Sequence, residues 1–139
     1  MPRLIQVAKG SGPDEVLSAE QMRDYYHGID YYLCASWNEG TPNPALEAAA
    51  CGVPVVTTRV GNMRELIRHG ENGYFIEPTA DSIEQTLMAI KKLEADEYGE
   101  MCRAVRADIV ENWTWKKNIL NYIPPLEQLL ATLDERETG

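Results

Sequence analysis

Positive charge is scarce in this chain. Thirteen Lys and Arg stand against 22 Asp and Glu in 139 residues, a formal net charge of −9, and the basic residues nowhere cluster with aromatics. That balance argues against a nucleic-acid partner and against an anionic membrane surface. Long apolar runs are also lacking. No run approaches the length of a membrane span, and the first residues do not form a signal peptide. Cysteine is sparse: Cys34, Cys51 and Cys102 are odd in number and widely spaced, with no C-x-x-C pair. Structural thiols in a reducing cytoplasm are therefore expected, rather than disulfides or a metal site. The chain has no D-x-D carboxylate pair, no complete G-x-G-x-x-G, no internal repeat and no low-complexity segment. What it does have is 44% apolar residues with mixed charge, enough for one domain with a real core.

One stretch organises the rest. The apolar run from Tyr31 to Ala35 precedes Trp37-Asn38-Glu39-Gly40-Thr41-Pro42-Asn43-Pro44-Ala45-Leu46-Glu47, and a second run, Val53 to Thr57, closes it. The pattern reads strand, loop, short helix, strand, a unit that joins two parallel strands. Asn43 is expected to cap the helix with Pro44 at its first position, and Gly52 stands where a left-handed residue ends it, after about two turns. Glu39 falls in the loop and Glu47 one turn into the helix. In an open α/β sheet such a loop lies beyond the carboxyl ends of the strands, where ligands bind. Free amides of Gly40, Thr41 and Ala45 are expected to face the same crevice. Carboxylates accept from hydroxyls and amides donate to phosphates, so a nucleotide-sugar suits both groups.

In chain order, Leu4-Ile5-Gln6-Val7-Ala8 reads as a buried strand and Lys9-Gly10-Ser11-Gly12-Pro13 as a glycine-rich turn, with Pro13 removing one donor. Ser18 caps a helix with Gln21 as its capping-box partner, and Met22, Tyr25, Tyr26 and Ile29 follow at helical spacing until Gly28. His27 sits where a charge meets the helix dipole and is given no chemistry. Arg59-Val60-Gly61-Asn62 forms the next strand-to-helix loop, with Gly61 free to adopt unusual dihedrals and Asn62 tolerant of left-handed geometry. Met63 to Arg68 is a short helix with Leu66 and Ile67 inward, ended by His69-Gly70. Asn72-Gly73 turns the chain into a strand, Tyr74-Phe75-Ile76, stopped by Pro78. Ile83, Leu87, Ile90 and Leu93, with Met88, form one face of a helix capped near Asp81 or Ser82, and Tyr98, Met101, Val105 and Ile109 repeat the pattern. Trp113 and Trp115 read as core. Pro124-Pro125 breaks the chain, and Leu126, Leu129, Leu130 and Leu133 make an apolar stripe that needs a partner.

The ordered series Glu39, Glu47, Cys51-Gly52-Val53-Pro54-Val55-Val56, Val60-Gly61-Asn62 with Glu65, and Gly70-Glu71-Asn72-Gly73-Tyr74-Phe75-Ile76 resembles the carboxyl-terminal part of the retaining GT-B glycosyltransferases of family 4, also called glycosyltransferase group 1. The resemblance runs from roughly Ser18 to Trp115. It implies an α/β fold, a partial Rossmann-like parallel sheet with helices on both faces, forming the second half of a GT-B carboxyl-terminal domain. Residues 1–139 would then be a single truncated donor-binding domain, with 113–139 as its helical extension. The family's pattern implies that Glu39 contacts hydroxyls of the transferred sugar as the catalytic carboxylate, with the amides of Gly40 and Thr41 holding the distal phosphate. It implies that Glu47 receives the ribose hydroxyls and that Gly61 lines the donor site. The expected ligand is a UDP-, GDP- or ADP-sugar, with no metal and no cofactor. The expected partner is an amino-terminal acceptor domain or a second copy. Location is expected to be cytoplasmic, with peripheral membrane association of the complete enzyme left open. Thr41-Pro42-Asn43-Pro44 departs from the Phe-Gly or similar pair that often lies between the family's glutamates, and two prolines remove two donors. No segment matches the family's Arg and Lys; Lys9, Arg59 and Arg64 are the cations that could approach. Two other readings stand beside this one: a non-catalytic interaction module using the leucine stripe, and a nucleotide-sugar epimerase-like enzyme.

Overall fold

The computed structural model describes residues 17–137; the expected strand at Leu4 to Ala8 and the turn after it lie outside them. Ser18 opens helix α1 (Ala19–His27): its hydroxyl accepts from the Gln21 amide while the Gln21 side chain accepts from the Ser18 amide, and Gly28 closes the helix. Strand β1 (Tyr32–Cys34) follows, then α2 (Asn43–Ala50) and β2 (Val55–Thr57). Helix α3 (Met63–Leu66) leads to β3 (Gly73–Phe75), and α4 (Ala80–Ile90) and α5 (Ala95–Asn112) complete the layers. The three strands are parallel in the order β1-β2-β3, with Tyr32 beside Val55 and Val55 beside Gly73.

Alternation along β2 separates the two faces. Val55 packs with Ala45 and Ala49 of α2, Met63 and Leu66 of α3, and Val105 of α5. Val56 points the other way, into a cluster with Tyr31, Ile76, Ile90 and Met101, against which Ile83, Leu87 and Leu93 pack. Helices therefore cover both faces, as expected. A third cluster joins Tyr26 and Ile29 to Ala48 and Val53, seating α1 on α2. Helix α2 is rich in alanine because it is hemmed in: Ala45, Ala48 and Ala49 are all fully buried. At its end Gly52 takes φ +79°, the left-handed geometry expected of it, and Arg106 of α5 donates to the Ala50 carbonyl.

Several boundaries differ from the sequence reading, each for a local reason. Helix α2 starts one residue early: Pro42 is its cap, without a side-chain bond, and Asn43 and Pro44 lie inside the first turn, where a proline costs no hydrogen bond. Helix α3 stops at Leu66, and Ile67 is extended. The fully buried Asn72 accounts for this. Its Nδ2 donates to the Leu66 carbonyl at 2.9 Å and to Asp108 Oδ2 at 2.6 Å, and its Oδ1 accepts from the Arg68 amide at 2.7 Å. One side chain thus takes over the groups that a longer helix would have paired internally. Gly70, at φ +84°, belongs to the following turn rather than to a helix cap. Asn62 has φ −74° and makes no use of its left-handed tolerance.

Thr79, not Asp81 or Ser82, caps α4 by accepting from the Ser82 amide. Met88 is exposed, as is Trp115 at 78%, so neither belongs to the core expected for it, while Trp113 packs against the first cluster. Beyond it come a turn of helix, α6 (Trp115–Asn118), a 3₁₀ turn (Ile119–Asn121) and α7 (Ile123–Glu137). Pro124 and Pro125 start α7 instead of breaking it, because the first turn of a helix needs no amide donors. The stripe Leu126, Leu129, Leu130 and Leu133 is exposed along that helix. Among the described residues no helix is long and apolar enough to cross a membrane.

Candidate functional site

The loops leaving β1 and β2 at their carboxyl ends are fastened to each other. Thr58 donates its hydroxyl to the Ser36 carbonyl at 2.6 Å and its amide to the Cys34 carbonyl at 3.1 Å. Ser36 in turn donates its hydroxyl to Glu39 Oε1 at 2.9 Å. Further out, Gly61 has φ +45° and lies so close that a Cβ there would sit 1.9 Å from the Gly40 carbonyl oxygen and 2.8 Å from that of Glu39. Only glycine allows this approach. The position of Glu39 is thereby set by the second loop as much as by its own.

Glu47 is held from another direction. The Tyr26 hydroxyl, on a side chain 2% exposed, donates to Glu47 Oε2 at 2.9 Å. Burial, reinforced by this bond and by the carboxylate charge, pushes the phenol well above its ordinary pKa, so Tyr26 stays a donor throughout the physiological range. One oxygen of Glu47 is occupied in this way. Burial likewise raises Tyr32 beside it.

Glu39 and Glu47 line one open cleft of about 630 Å³, floored by Tyr26 and Tyr32 and walled by Ser36 and Thr41. Gly40 and Gly61 are not among its walls; they meet each other at the loop contact. The amides of Gly40 and Thr41 donate to no acceptor among the described residues, whereas the Ala45 amide is taken by the Pro42 carbonyl at 2.9 Å. The expectation of a free Ala45 donor is corrected by that turn. No Lys or Arg of the described residues walls the cleft. Arg59 lies with its guanidinium 4.0 Å from the centre of the Phe75 ring, and Arg64 donates to the Arg59 carbonyl at 2.7 Å. Among the described residues no group of three His, Cys, Asp or Glu side chains could hold a metal ion. Sequence reasoning missed Tyr26, Ser36 and Thr58. Ser36, three residues before Glu39, had a local signal; Tyr26 and Thr58 reach their partners only through the fold.

The three parallel strands with helices on both faces are shared with GT-B glycosyltransferase domains. The carboxyl-terminal domain of a glycosyl transferase group 1 family protein from Francisella tularensis superposes with a TM-score of 0.64 at 25% identity, over 73% of this chain and 52% of that one. A glycosyltransferase from Rickettsia africae gives 0.71 at 20% identity, over 79% and 30%. Residues 11–96 match the family described as "Glycosyl transferases group 1", and the chain belongs to that family. It is 35% identical over 94 residues to an N-acetyl-alpha-D-glucosaminyl L-malate synthase from Bacillus anthracis, covering 67% of this chain and 24% of the relative. It is 36% identical over 81 residues to a D-inositol 3-phosphate glycosyltransferase from Geodermatophilus obscurus, covering 54% and 18%. The chain thus spans about a quarter or less of the curated relatives it matches.

Proposed function

We propose that this chain is the donor-side part of a family 4 glycosyltransferase, binding a nucleotide-diphosphate sugar for transfer to an acceptor with retention at the anomeric carbon. The observation that carries this reading is the shared cleft of Glu39 and Glu47, with the Gly40 and Thr41 amides, unpaired among the described residues, on the same loop. The free oxygen of Glu47 would accept from a ribose hydroxyl, the carboxylate of Glu39 from hydroxyls of the transferred sugar, and the two amides would donate to phosphate oxygens. The similarity to a D-inositol 3-phosphate glycosyltransferase supports the reading.

A leaving nucleoside diphosphate needs preorganised donors and positive charge. With no cation among the cleft's described walls, the chain alone transfers little or no sugar, and a further domain completes the site. The exposed leucines of α7 supply a face on which such a domain would rest. Calorimetric titration of UDP, GDP and ADP tests the donor role. One nucleotide should bind the wild type, and Glu47→Ala should weaken it at least about tenfold, since a hydrogen bond to a charged group contributes about 1.5–3 kcal/mol. Binding by neither protein would favour the interaction module built on the α7 stripe. Sugar turnover by the purified chain would overturn the claim that it is inactive alone.

A further inference from the structure

Ser36, two residues beyond β1, is tied down at both its carbonyl and its side chain. The carbonyl accepts the Thr58 hydroxyl at 2.6 Å, and Thr58, 4% exposed, is itself held by its amide on the Cys34 carbonyl at 3.1 Å. The Ser36 hydroxyl accepts from the Cys34 thiol at 3.8 Å and donates to Glu39 Oε1 at 2.9 Å. We infer that Ser36, backed by Thr58, is the positioning residue that makes the cleft select the sugar portion of its ligand: it binds one oxygen of Glu39 and holds the other in place, where it reads a single sugar hydroxyl. The selectivity rests on the donor reading above; the hold on Glu39 does not.

A hydroxyl carries one proton and two lone pairs. The Cys34 thiol takes one lone pair of the Ser36 oxygen, and the proton is directed to Glu39. Glu39 is exposed in its loop, where a glutamate without a partner would turn among several rotamers and lose that freedom on meeting a ligand. Bonded to Ser36 it is ordered beforehand, so a sugar hydroxyl meets a carboxylate already in place. A carboxylate with both oxygens free can accept from two neighbouring hydroxyls. With Oε1 engaged, Glu39 presents Oε2 and favours one hydroxyl from one direction. Thr58 contributes stiffness: its bond to the Ser36 carbonyl spans 22 positions and comes from the buried end of β2, so the Ser36 backbone does not follow when a ligand draws on Glu39. Glu47 is held separately, by Tyr26 of α1. The two carboxylates can therefore be perturbed one at a time, the nucleoside part through Glu47 and the sugar part through Glu39.

Calorimetry of the full chain with the pairs UDP and UDP-glucose, GDP and GDP-mannose, and ADP and ADP-glucose measures the selectivity as the ratio of the two affinities within a pair. For the pair that binds, Ser36→Ala should lower the nucleotide-sugar affinity about fivefold, the effect of one net hydrogen bond, and leave that of the nucleoside diphosphate as in the wild type. Thr58→Val, which removes the hydroxyl, should lower the same ratio, and Thr58→Ser, which keeps it, should restore it. Nitrogen-15 relaxation of the unliganded proteins gives a readout that needs no nucleotide: the amides of Glu39, Gly40 and Thr41 should lose order in Ser36→Ala. A wild-type chain that binds none of these nucleotides sinks the donor reading and the selectivity with it, while the relaxation data still decide the hold on Glu39. Wild-type binding with an unchanged ratio in Ser36→Ala, an equal loss for both members of a pair, or unchanged order of the three amides would overturn the role of Ser36.

Discussion

Tyr26 and Glu47 are 21 positions apart in the chain, yet their oxygens lie 2.9 Å apart. The phenol fixes one carboxylate oxygen and leaves the other for a ligand, so its loss should be felt in binding more than in folding. A net hydrogen bond contributes about 1 kcal/mol, so Tyr26→Phe should lower nucleotide affinity about fivefold. Calorimetry against the melting midpoint separates the two effects: affinity falls while the midpoint moves by no more than a few degrees. Unchanged affinity would remove Tyr26 from the site. Gly61 and Gly70 make a second comparison, because both have positive φ but only Gly61 is crowded. Alanine at either carries the backbone strain of a left-handed residue, about 1–3 kcal/mol. Gly61→Ala must in addition push back the Glu39–Gly40 backbone. It should therefore cost more stability in urea unfolding than Gly70→Ala, and it alone should impair nucleotide binding; equal behaviour would show that the loop contact is inessential.

At the scale of elements, the short helix α2 carries Glu47 on one side and buries three alanines on the other. Ala49 packs with Val105 and Ile109 of α5, leaving no room for a larger side chain. Ala49→Leu should destabilise the fold by about 1–3 kcal/mol through overpacking, whereas Ala89→Leu on the exposed side of α4 should stay within about 0.5 kcal/mol. Urea midpoints of the two variants measure the difference, and similar values would mean that α2 is not held in close contact with α5. The periodicity of α4 and α5 could be read from the sequence, since Ile83, Leu87 and Ile90, and Met101, Val105 and Ile109, do face the core. The end of α3 could not. It depends on Asn72 meeting Asp108, 36 positions further on.

Over the whole molecule, buried phenols make stability depend on alkaline pH. Burial raises Tyr26, Tyr31 and Tyr98 above the ordinary value of 10.0. Above about pH 10 the unfolded chain releases these protons while the folded chain keeps them, so the folded state binds more protons and stability falls as pH rises. The contribution is complete below the ordinary value and is lost as pH climbs toward the folded ones. Melting midpoints measured from about pH 9 to about pH 11 should therefore decline, and ultraviolet titration should show part of the tyrosine ionising late. A flat profile would mean that these phenols are not buried as described.

Local rules in the sequence determined the α/β pattern, the Ser18 and Gly52 helix ends, the two inward helix faces and the order of motifs that mark the family. Each of these depends on residues within a few positions of one another, through steric limits, capping and periodic burial. Only the tertiary structure decided that Glu39 and Glu47 line one cleft, that Gly61 rests against Gly40, that Tyr26 holds Glu47, and that Trp115 stands exposed. Those outcomes depend on contacts between segments far apart in the chain, whose geometry exists only once the sheet has brought its carboxyl-end loops together.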